Sequence, residues 1–415
     1  MASQDLHQLV EGRPLRVFLI AGEHSGDALG GKLIEALRKL SRHPIELAGI
    51  GGEHMEEQGC RSLFPLEELA VMSPLDVLPR LRSIYRRMRQ AVDAVLTFQP
   101  NVLVILDSPE FTHQVARRVR HRNPRIPIVD YVSPSVWAWR PWRARSMLRY
   151  VDHVMAILPF EPEVFVRLGG PPCNYVGHPL IEKLDWIDAL DAQGLRERLG
   201  IALDSKVLVV LPGSRGSEVK RLMDTFGETL RVLQEKIGPF EVILPVVSTV
   251  RMLIDERLQS WPLRPHLVTG ETDKFTAMRL ATAALAASGT VTLELSLAGT
   301  PMAVAYRVDP IARRLRFLLI APAVALPNLI LGDKIFPELL QEDCTAENLA
   351  DALAPLMQGG SLRDAQLRAL AQVRTEMSIE GDEPSKQAAK IVLDYALSGR
   401  PSLSSKPHQR ALIGR

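Results

Sequence analysis

LRVFLIAGEHSGDALGGKLIEALRKL, residues 15–40, is the stretch whose reading sets the fold class. Leu15–Gly22 is a near-continuous apolar run, as a strand buried on both faces of a parallel sheet requires. From Ala28 to Leu40 the apolar residues recur at helical spacing, so a strand runs into a helix across AGEHSGD, residues 21–27. Gly22 and Gly26 permit a tight turn there, and Asp27 can cap the helix that follows. Outward from this unit the alternation repeats. ELAGIGG reads as a second strand, NVLVILD (101–107) as a third, IPIVDYVSP as a fourth and VDHVMAILP as a fifth. After the Gly-Gly-Pro-Pro punctuation at 169–172 the pattern restarts with KVLVVLPGS, FEVILPVV, PHLVTG, AALAAS and PMAVAYR. Strands alternating with helical patterns mean an α/β fold built on parallel sheets. Two such halves, joined near 170–180, form a cleft between the carboxyl ends of their strands, where ligands usually bind.

A chain of 415 residues is too long for one core of ordinary size and suits two domains. The expected division is an extension over 1–14, an N-terminal domain over 15–175 and a C-terminal domain over 176–372. A terminal helix over 373–397 is expected to pack back on the first half, before a disordered tail over 398–415. Three widely spaced cysteines, Cys60, Cys173 and Cys344, fit neither a disulfide framework nor a zinc site and point to a reducing compartment. The first fourteen residues lack the pattern of a secretory signal, and the longest uncharged run, Phe317–Gly332, is too short and too proline-broken for a spanning helix. A cytoplasmic protein is expected, with any membrane contact peripheral.

The overall net charge is +2, but Leu78–Arg149 holds fourteen arginines and no lysine against four acids. Such an excess points to an anionic partner, although a set of solvated helix faces would read the same way. No nucleic-acid-binding motif and no solenoid repeat is present.

Five loops carry the chemistry. In AGEHSGD, the turn onto a helix N-terminus is an anion site in waiting, and Glu23 is a carboxylate with no local structural duty; a capped structural turn is the plainer reading. Ser25 lies in the same turn and is assigned to an acceptor or phosphate contact. In ILDSPEF, residues 105–111, Asp107 stands where a buried strand ends, with Glu110 nearby. A carboxylate in an apolar setting can serve as the base that a sugar hydroxyl needs, and a helix N-cap is the alternative. SPSVWAWRPWRARS, residues 133–146, interleaves three tryptophans with Arg140, Arg143 and Arg145, which suits ring stacking beside phosphate contacts; core packing of Trp137 and Trp139 competes with that.

LPGSRGSEV, residues 211–219, follows the first strand of the second half. Gly213, Ser214 and Gly216 expose backbone N–H groups and Arg215 adds a fixed cation, together able to neutralise a leaving diphosphate without a metal. ASGTVTLE, residues 287–294, repeats the arrangement at a later strand end. Ser288, Gly289 and Thr290 offer a second phosphate contact, and Glu294 can accept from ribose hydroxyls. Either loop alone could be a structural, close-packing turn; two in one half favour a nucleotide site. Two further stretches could meet lipid. One is the helix carrying Leu78, Leu81, Tyr85, Met88, Val92 and Val95 among Arg80, Arg82, Arg86, Arg87 and Arg89; the other is RRLRFLLIAPAVALPNLI, residues 313–330.

AGEHSGD, GGEHM, ELAVM, SPSVWAWR, ILPFE, GHPL, LPGSRGSEV, ASGTVTLE and LPNLI, in this order over about residues 15–395, resemble the lipid A disaccharide synthases. The resemblance implies the GT-B fold, two Rossmann-like domains facing each other across a cleft, with acceptor on the first and donor nucleotide on the second. It implies an inverting transfer that joins UDP-2,3-diacylglucosamine to 2,3-diacylglucosamine 1-phosphate, giving the β-1,6-linked disaccharide 1-phosphate and UDP, at an anionic membrane surface and with no cofactor. Carried over by position, Asp107 is the candidate base, Arg215 the diphosphate contact, Glu23 an acceptor or base-orienting contact and Asn328 a donor-cleft contact. Glu110 stands where the family also shows aspartate. The competing readings are another GT-B enzyme using a UDP-amino sugar, either a non-lipid transferase or a 2-epimerase, and a basic adaptor that binds membrane or RNA.

Overall fold

The strand-like runs all enter one of two parallel sheets in the computed structural model of the chain, which describes residues 13–69, 74–308, 321–379 and 381–400, with backbone alone over 74–81. The first sheet and its helices run β1 (Leu15–Ala21), α1 (His24–Leu40), β2 (Ile45–Ile50), α2 (Glu53–Glu57), α3 (Pro74–Phe98), β3 (Val102–Leu106), α4 (Pro109–Arg122), β4 (Ile128–Tyr131), α5 (Trp142–Met147), β5 (His153–Ala156), α6 (Glu161–Arg167) and β6 (Cys173–Tyr175). The second set runs α7 (Leu184–Ala189), α8 (Ala192–Arg198), β7 (Val207–Leu211), α9 (Gly216–Ile237), β8 (Glu241–Pro245), α10 (Arg251–Leu258), β9 (His266–Val268), α11 (Glu271–Leu280), β10 (Ala283–Ala287), α12 (Thr290–Ala298), β11 (Met302–Tyr306), α13 (Leu326–Leu331), β12 (Glu338–Leu340), α14 (Ala346–Gln358) and α15 (Ser361–Met377). A last helix, α16 (Pro384–Ser398), follows. The contacts divide the chain into two units, one up to Pro179 together with the residues from Ile379 onward, the other Leu180–Ser378.

The strand order is β2-β1-β3-β4-β5-β6 in the first sheet and β12-β11-β10-β7-β8-β9 in the second. Each order reverses direction once, between β1 and β3 and between β7 and β10. At such a point the connections leave toward opposite sides, and the strand ends between them are open to a ligand.

Both faces of each sheet are covered, which is why the strands read as unbroken apolar runs. In the first unit Phe18, Ile20, Leu103 and Ile105 pack against Val92 and Val95 of α3 and Val115 and Val119 of α4. The opposite face, with Val17, Leu19 and Val104, packs against Leu33, Ile34 and Leu37 of α1 and against Ala388 and Val392 of α16. In the second unit Leu208, Val210 and Leu285 meet Phe226 and Leu230 of α9 and Leu349 and Leu353 of α14.

Three details differ from the sequence reading. Helix α1 begins at His24 rather than Ala28, so Ser25, Gly26 and Asp27 lie within its first turn. Asp27 is buried and does not cap its own helix. Its carboxylate accepts from the N–H groups of Gly52, His54 and Met55 at 2.7, 3.0 and 3.1 Å, and so caps α2. Strands β6 and β12 were not read because each is three residues long, incompletely buried and at a sheet edge, with no apolar run to mark it. The side chains of Leu78, Arg80 and Leu81 and residues 313–320 lie outside the described residues, so the two lipid-facing expectations are only partly covered. Among the described residues no helix is long and apolar enough to cross a membrane.

Because Val392 is fully buried under the first sheet, Val392→Asp should place an unpaired charge in that core and cost about 3 kcal/mol or more. Leu397, 48% exposed on the same helix, should accept aspartate within about 0.5 kcal/mol. Urea unfolding midpoints of the two variants would check the difference; equal midpoints would show that α16 does not hold the first unit.

Candidate active site

Asp107 sits one residue past β3, at the order reversal of the first sheet, facing the end of β1. The Gly22 N–H donates to its Oδ1 at 2.8 Å and the Ser25 hydroxyl to its Oδ2 at 3.2 Å. The carboxylate therefore occupies the N-terminus of α1, where free amides and the helix dipole favour an anion. Glycine is required at both neighbouring positions. A Cβ on Gly22 would fall 2.1 Å from the Ser108 Cβ, and one on Gly26 would fall 2.2 Å from Asp107 Oδ2. Asp107 and Ser108 both take the left-handed conformation, with φ of 47° and 37°, and so does Val132 at the end of the neighbouring β4, with φ of 78°. Non-glycine residues are costly there, and such strain gathers at functional sites. The Thr112 hydroxyl holds the bend by donating to the carbonyls of Asp107 and Ser108 at 2.7 and 3.1 Å.

Burial raises the Asp107 pKa to about 6, against the pull of the Gly22, Ser25 and Gly26 hydrogen bonds; nearby Glu23 pushes it further up. Glu23 itself is the exposed residue before α1, with extended backbone and no side-chain cap bond.

A second buried carboxylate, which the sequence reading passed over, stands at the same edge of the sheet. Glu161, first residue of α6, accepts from the Ser133 hydroxyl at 2.6 Å, the Trp137 indole at 3.2 Å and the Leu158 N–H at 3.0 Å. Burial pushes its pKa up to about 7, opposed by those donors. It anchors SPSVWAWR to β5. Its signal was the one that exposed Asp107, a carboxylate just past an apolar strand, here in ILPFE.

The arginines sort differently from the expectation that they face phosphate. Arg143 donates to Glu110, and Arg140 lies 3.9 Å from the same carboxylate with its guanidinium 5.0 Å from the Trp139 ring. Glu110 is thus an ion-pair partner with a largely exposed side chain. Arg87 is bound bidentately to Glu68 at 2.6 and 2.7 Å over the Phe64 ring. Arg86 and Arg145 remain exposed.

In the second unit a cavity of about 1000 Å³ lies at the order reversal between β7 and β10. Gly213, Ser214 and Arg215 line it from the β7–α9 loop, and Ser288, Gly289, Thr290 and Glu294 from the β10–α12 turn. Two helix N-termini thus converge on one space, each with unpaired first-turn amides. Gly213 has φ of 109°, and a Cβ there would fall 2.3 Å from Glu218 Oε2. Gly289, with φ of 137°, has open space at its Cβ position, so conformation alone demands glycine. The Glu218 carboxylate accepts from the Arg215 N–H at 3.3 Å and pairs with its guanidinium at 3.6 Å, while the Arg215 side chain stays 79% exposed.

Not every predicted donor is available. The Ser288 N–H is taken by the Ala305 carbonyl at 3.2 Å and its hydroxyl by the Val324 carbonyl at 2.9 Å, which leaves the amides of Gly289 and Thr290 for an anion. Glu294 has one carboxylate oxygen held by Lys274 at 2.8 Å, and Lys274 also lines the cavity, a cation the sequence reading missed. Asn328 does not line the cavity. It is buried, its amide donating to the Phe336 carbonyl and Glu338 and accepting from the Phe336 N–H, all within 3.0 Å. Its work is to pin α13 to the start of β12, because a buried amide must satisfy its donors and acceptor internally.

The family model for lipid-A-disaccharide synthetase matches residues 17–392. Lipid-A-disaccharide synthase from Nitrobacter hamburgensis is 50% identical over 386 residues, covering 93% of this chain and 96% of that one. The enzyme of the same name from Bradyrhizobium diazoefficiens is 49% identical over 395 residues, 94% of this chain and 100% of its own. Among solved structures, UDP-GlcNAc 2-epimerase from Neisseria meningitidis bound to UDP-GlcNAc superposes with a TM-score of 0.59 at 13% identity, over 92% of this chain and 100% of that one. A putative UDP-N-acetylglucosamine 2-epimerase from Listeria monocytogenes gives 0.60 at 15%, over 93% and 96%. Identity that low carries the fold alone, the GT-B arrangement of two parallel-sheet domains. With a family match across nearly the whole described chain and half of the matched residues identical to a named member, the chain belongs to the lipid-A-disaccharide synthase family.

Proposed function

We propose that the first unit activates the acceptor through Asp107 while the second binds the UDP-sugar donor around Arg215 and the α9 and α12 N-termini. The family's reaction is a hexosyl transfer from UDP-2,3-diacylglucosamine to 2,3-diacylglucosamine 1-phosphate. The position of Asp107 carries the assignment of the base: a carboxylate at a sheet reversal, buried enough to titrate near 6 and fixed by two donors. A base with that pKa is ionised at neutral pH and still strong enough to take a proton as attack proceeds.

The acceptor 6-hydroxyl attacks the anomeric carbon of the donor from the face opposite UDP. The new C–O bond forms as the bond to the β-phosphate oxygen breaks, so one displacement inverts the centre. The hydroxyl proton passes to Asp107 and then to solvent. The bond electrons leave with UDP, whose growing negative charge meets Arg215 and the amides of Gly289 and Thr290, preorganised for it. Glu23 is placed on the acceptor side and Ser25 orients the base. Glu294 offers its second oxygen to the ribose, and Lys274 beside it adds a cation. Peripheral attachment to an anionic membrane surface belongs to the same proposal, supported by the acyl chains of the family's substrates and the arginine excess over residues 78–149.

The direct test is UDP release from UDP-2,3-diacylglucosamine in detergent with a chelator, with and without 2,3-diacylglucosamine 1-phosphate. Release that depends on the acceptor is expected; release without it would remove the acceptor-activating role of the first unit. Since the base must be ionised, kcat/KM should hold above pH 7 and fall about tenfold per pH unit below about 6. Asp107→Asn, which keeps an oxygen for the Gly22 N–H, should lose about 10²-fold or more in turnover; near-native turnover would transfer the base role elsewhere. Arg215→Ala should lower kcat by roughly 30- to 1000-fold, the effect of losing about 2–4 kcal/mol of charge stabilisation. An unchanged kcat would exclude Arg215 from the leaving-group site.

A further inference from the structure

Helix α5 and the turn after it carry side chains that the transfer reaction does not use. Trp142 is 62% exposed and Leu148 43% exposed, although both are apolar and neighbours on a short element. A groove of about 650 Å³ runs between Trp142, Arg145, Leu148, Arg149 and Leu168. It shares Ser146 and Arg149 with a second groove of about 590 Å³, where Arg117, His121, Tyr150 and Arg400 contribute. No acid lines either groove. The nearest carboxylate along the chain, Asp152, is already taken by Arg120 and by Arg400 at 2.7 Å. Arg117 lies over the Tyr150 ring at 4.7 Å. Among the described residues Arg145 and Arg149 make no side-chain hydrogen bond or ion pair.

The second groove belongs to the opposite edge of the sheet from Asp107. Arg117, Arg120 and His121 are on the last turns of α4, Pro124 leads into β4 and Tyr150 into β5, so these residues gather at the amino ends of the strands. The base stands at the carboxyl end of β3. The second groove is therefore separate from the proposed acceptor site.

Unpaired arginines alone would suit any phosphate, and a free anion needs no apolar neighbour. Exposed Trp and Leu beside free arginines have a different match. Indole and guanidinium both favour the bilayer interface, where an apolar body enters the acyl boundary and a polar end stays at the phosphates. Aliphatic Leu148 and Leu168 also favour acyl chains over the stacked bases of RNA. We infer that the α5 strip is a seat for the headgroup of an anionic phospholipid, with Trp142 and Leu148 entering the bilayer boundary and Arg145 and Arg149 on the phosphate. This deepens the membrane attachment proposed above and rests on it.

The test uses the full chain in co-sedimentation with vesicles of phosphatidylcholine, with and without phosphatidylglycerol. The wild-type chain should partition onto the anionic vesicles, and Trp142→Ala/Leu148→Ser/Arg149→Glu should lower that partition about tenfold or more. Acceptor-dependent UDP release in detergent should be unchanged in the same variant, which also reports that it is folded. Trp142 should give a blue-shifted emission component on anionic vesicles that Trp142→Phe abolishes. Inorganic phosphate should displace the chain from vesicles no better than chloride at equal ionic strength; stronger displacement would mark a free-anion site and overturn the lipid assignment. Equal partition of variant and wild type would overturn this face while leaving membrane attachment standing. Loss of RNA binding with vesicle binding intact would also overturn it. A wild-type chain that ignores anionic vesicles would defeat both the attachment and its seat.

Discussion

The reversal of strand order in each parallel sheet is the constraint on which the two sites depend. Elsewhere consecutive crossovers leave on the same side and lay their helices side by side over one face of the sheet. At β1/β3 and β7/β10 the chain leaves in opposite directions, and two loops with helix N-termini are held apart over adjacent strands. The two units use that geometry in opposite ways. In the first, the chain supplies its own anion, and Asp107 lies on the Gly22 amide and the Ser25 hydroxyl at the head of α1. In the second, the amides at the head of α12 border a cavity lined by Arg215 and Lys274, each with a glutamate partner, Glu218 and Glu294. One fold thus provides a held carboxylate in one unit and a cavity edged by helix N-termini in the other, from the same local physics.

Holding the Asp107 carboxylate in this place strains the backbone around it. Asp107, Ser108 and Val132 each adopt a left-handed backbone, worth about 1–3 kcal/mol of strain apiece. Thr112 offsets part of this through its two carbonyl contacts, and the glycines at 22 and 26 let the carboxylate approach α1 closely. The hydrogen bonds that fix Asp107 also stabilise its ionised form, which on its own would make it a weak base. Burial outweighs them and sets the pKa near 6. Position and basicity therefore come from opposed effects at a single residue.

Much of the fold was legible because parallel strands buried on both faces leave unbroken apolar runs, and several runs were followed by a loop with glycines or a carboxylate. Asp107 and Arg215 stood out by that logic alone. What escaped, Glu161 apart, had no such mark. Strands β6 and β12 are short edges, and Asp27 was read as capping its own helix when it caps α2 from a distance in sequence. Lys274 acts through Glu294, 20 residues away, which no local pattern reveals; Glu161 stood in ILPFE, just past an apolar strand, and was passed over. Arg143 was read as a phosphate contact and Arg87 as part of a lipid-facing helix, but each is paired in the structure, with Glu110 and Glu68, 33 and 19 residues away. Asn328 was placed by family likeness and proves to be a buried brace.

The central claim is the division of labour, with base chemistry at Asp107 and nucleotide binding at Arg215. Calorimetric titration of UDP into the Asp107→Asn and Arg215→Ala chains addresses it most directly. UDP affinity should be unchanged in Asp107→Asn and weakened roughly tenfold or more in Arg215→Ala, the scale of a lost charge-assisted contact. A UDP affinity that fell in Asp107→Asn and held in Arg215→Ala would contradict the assignment of the two sites.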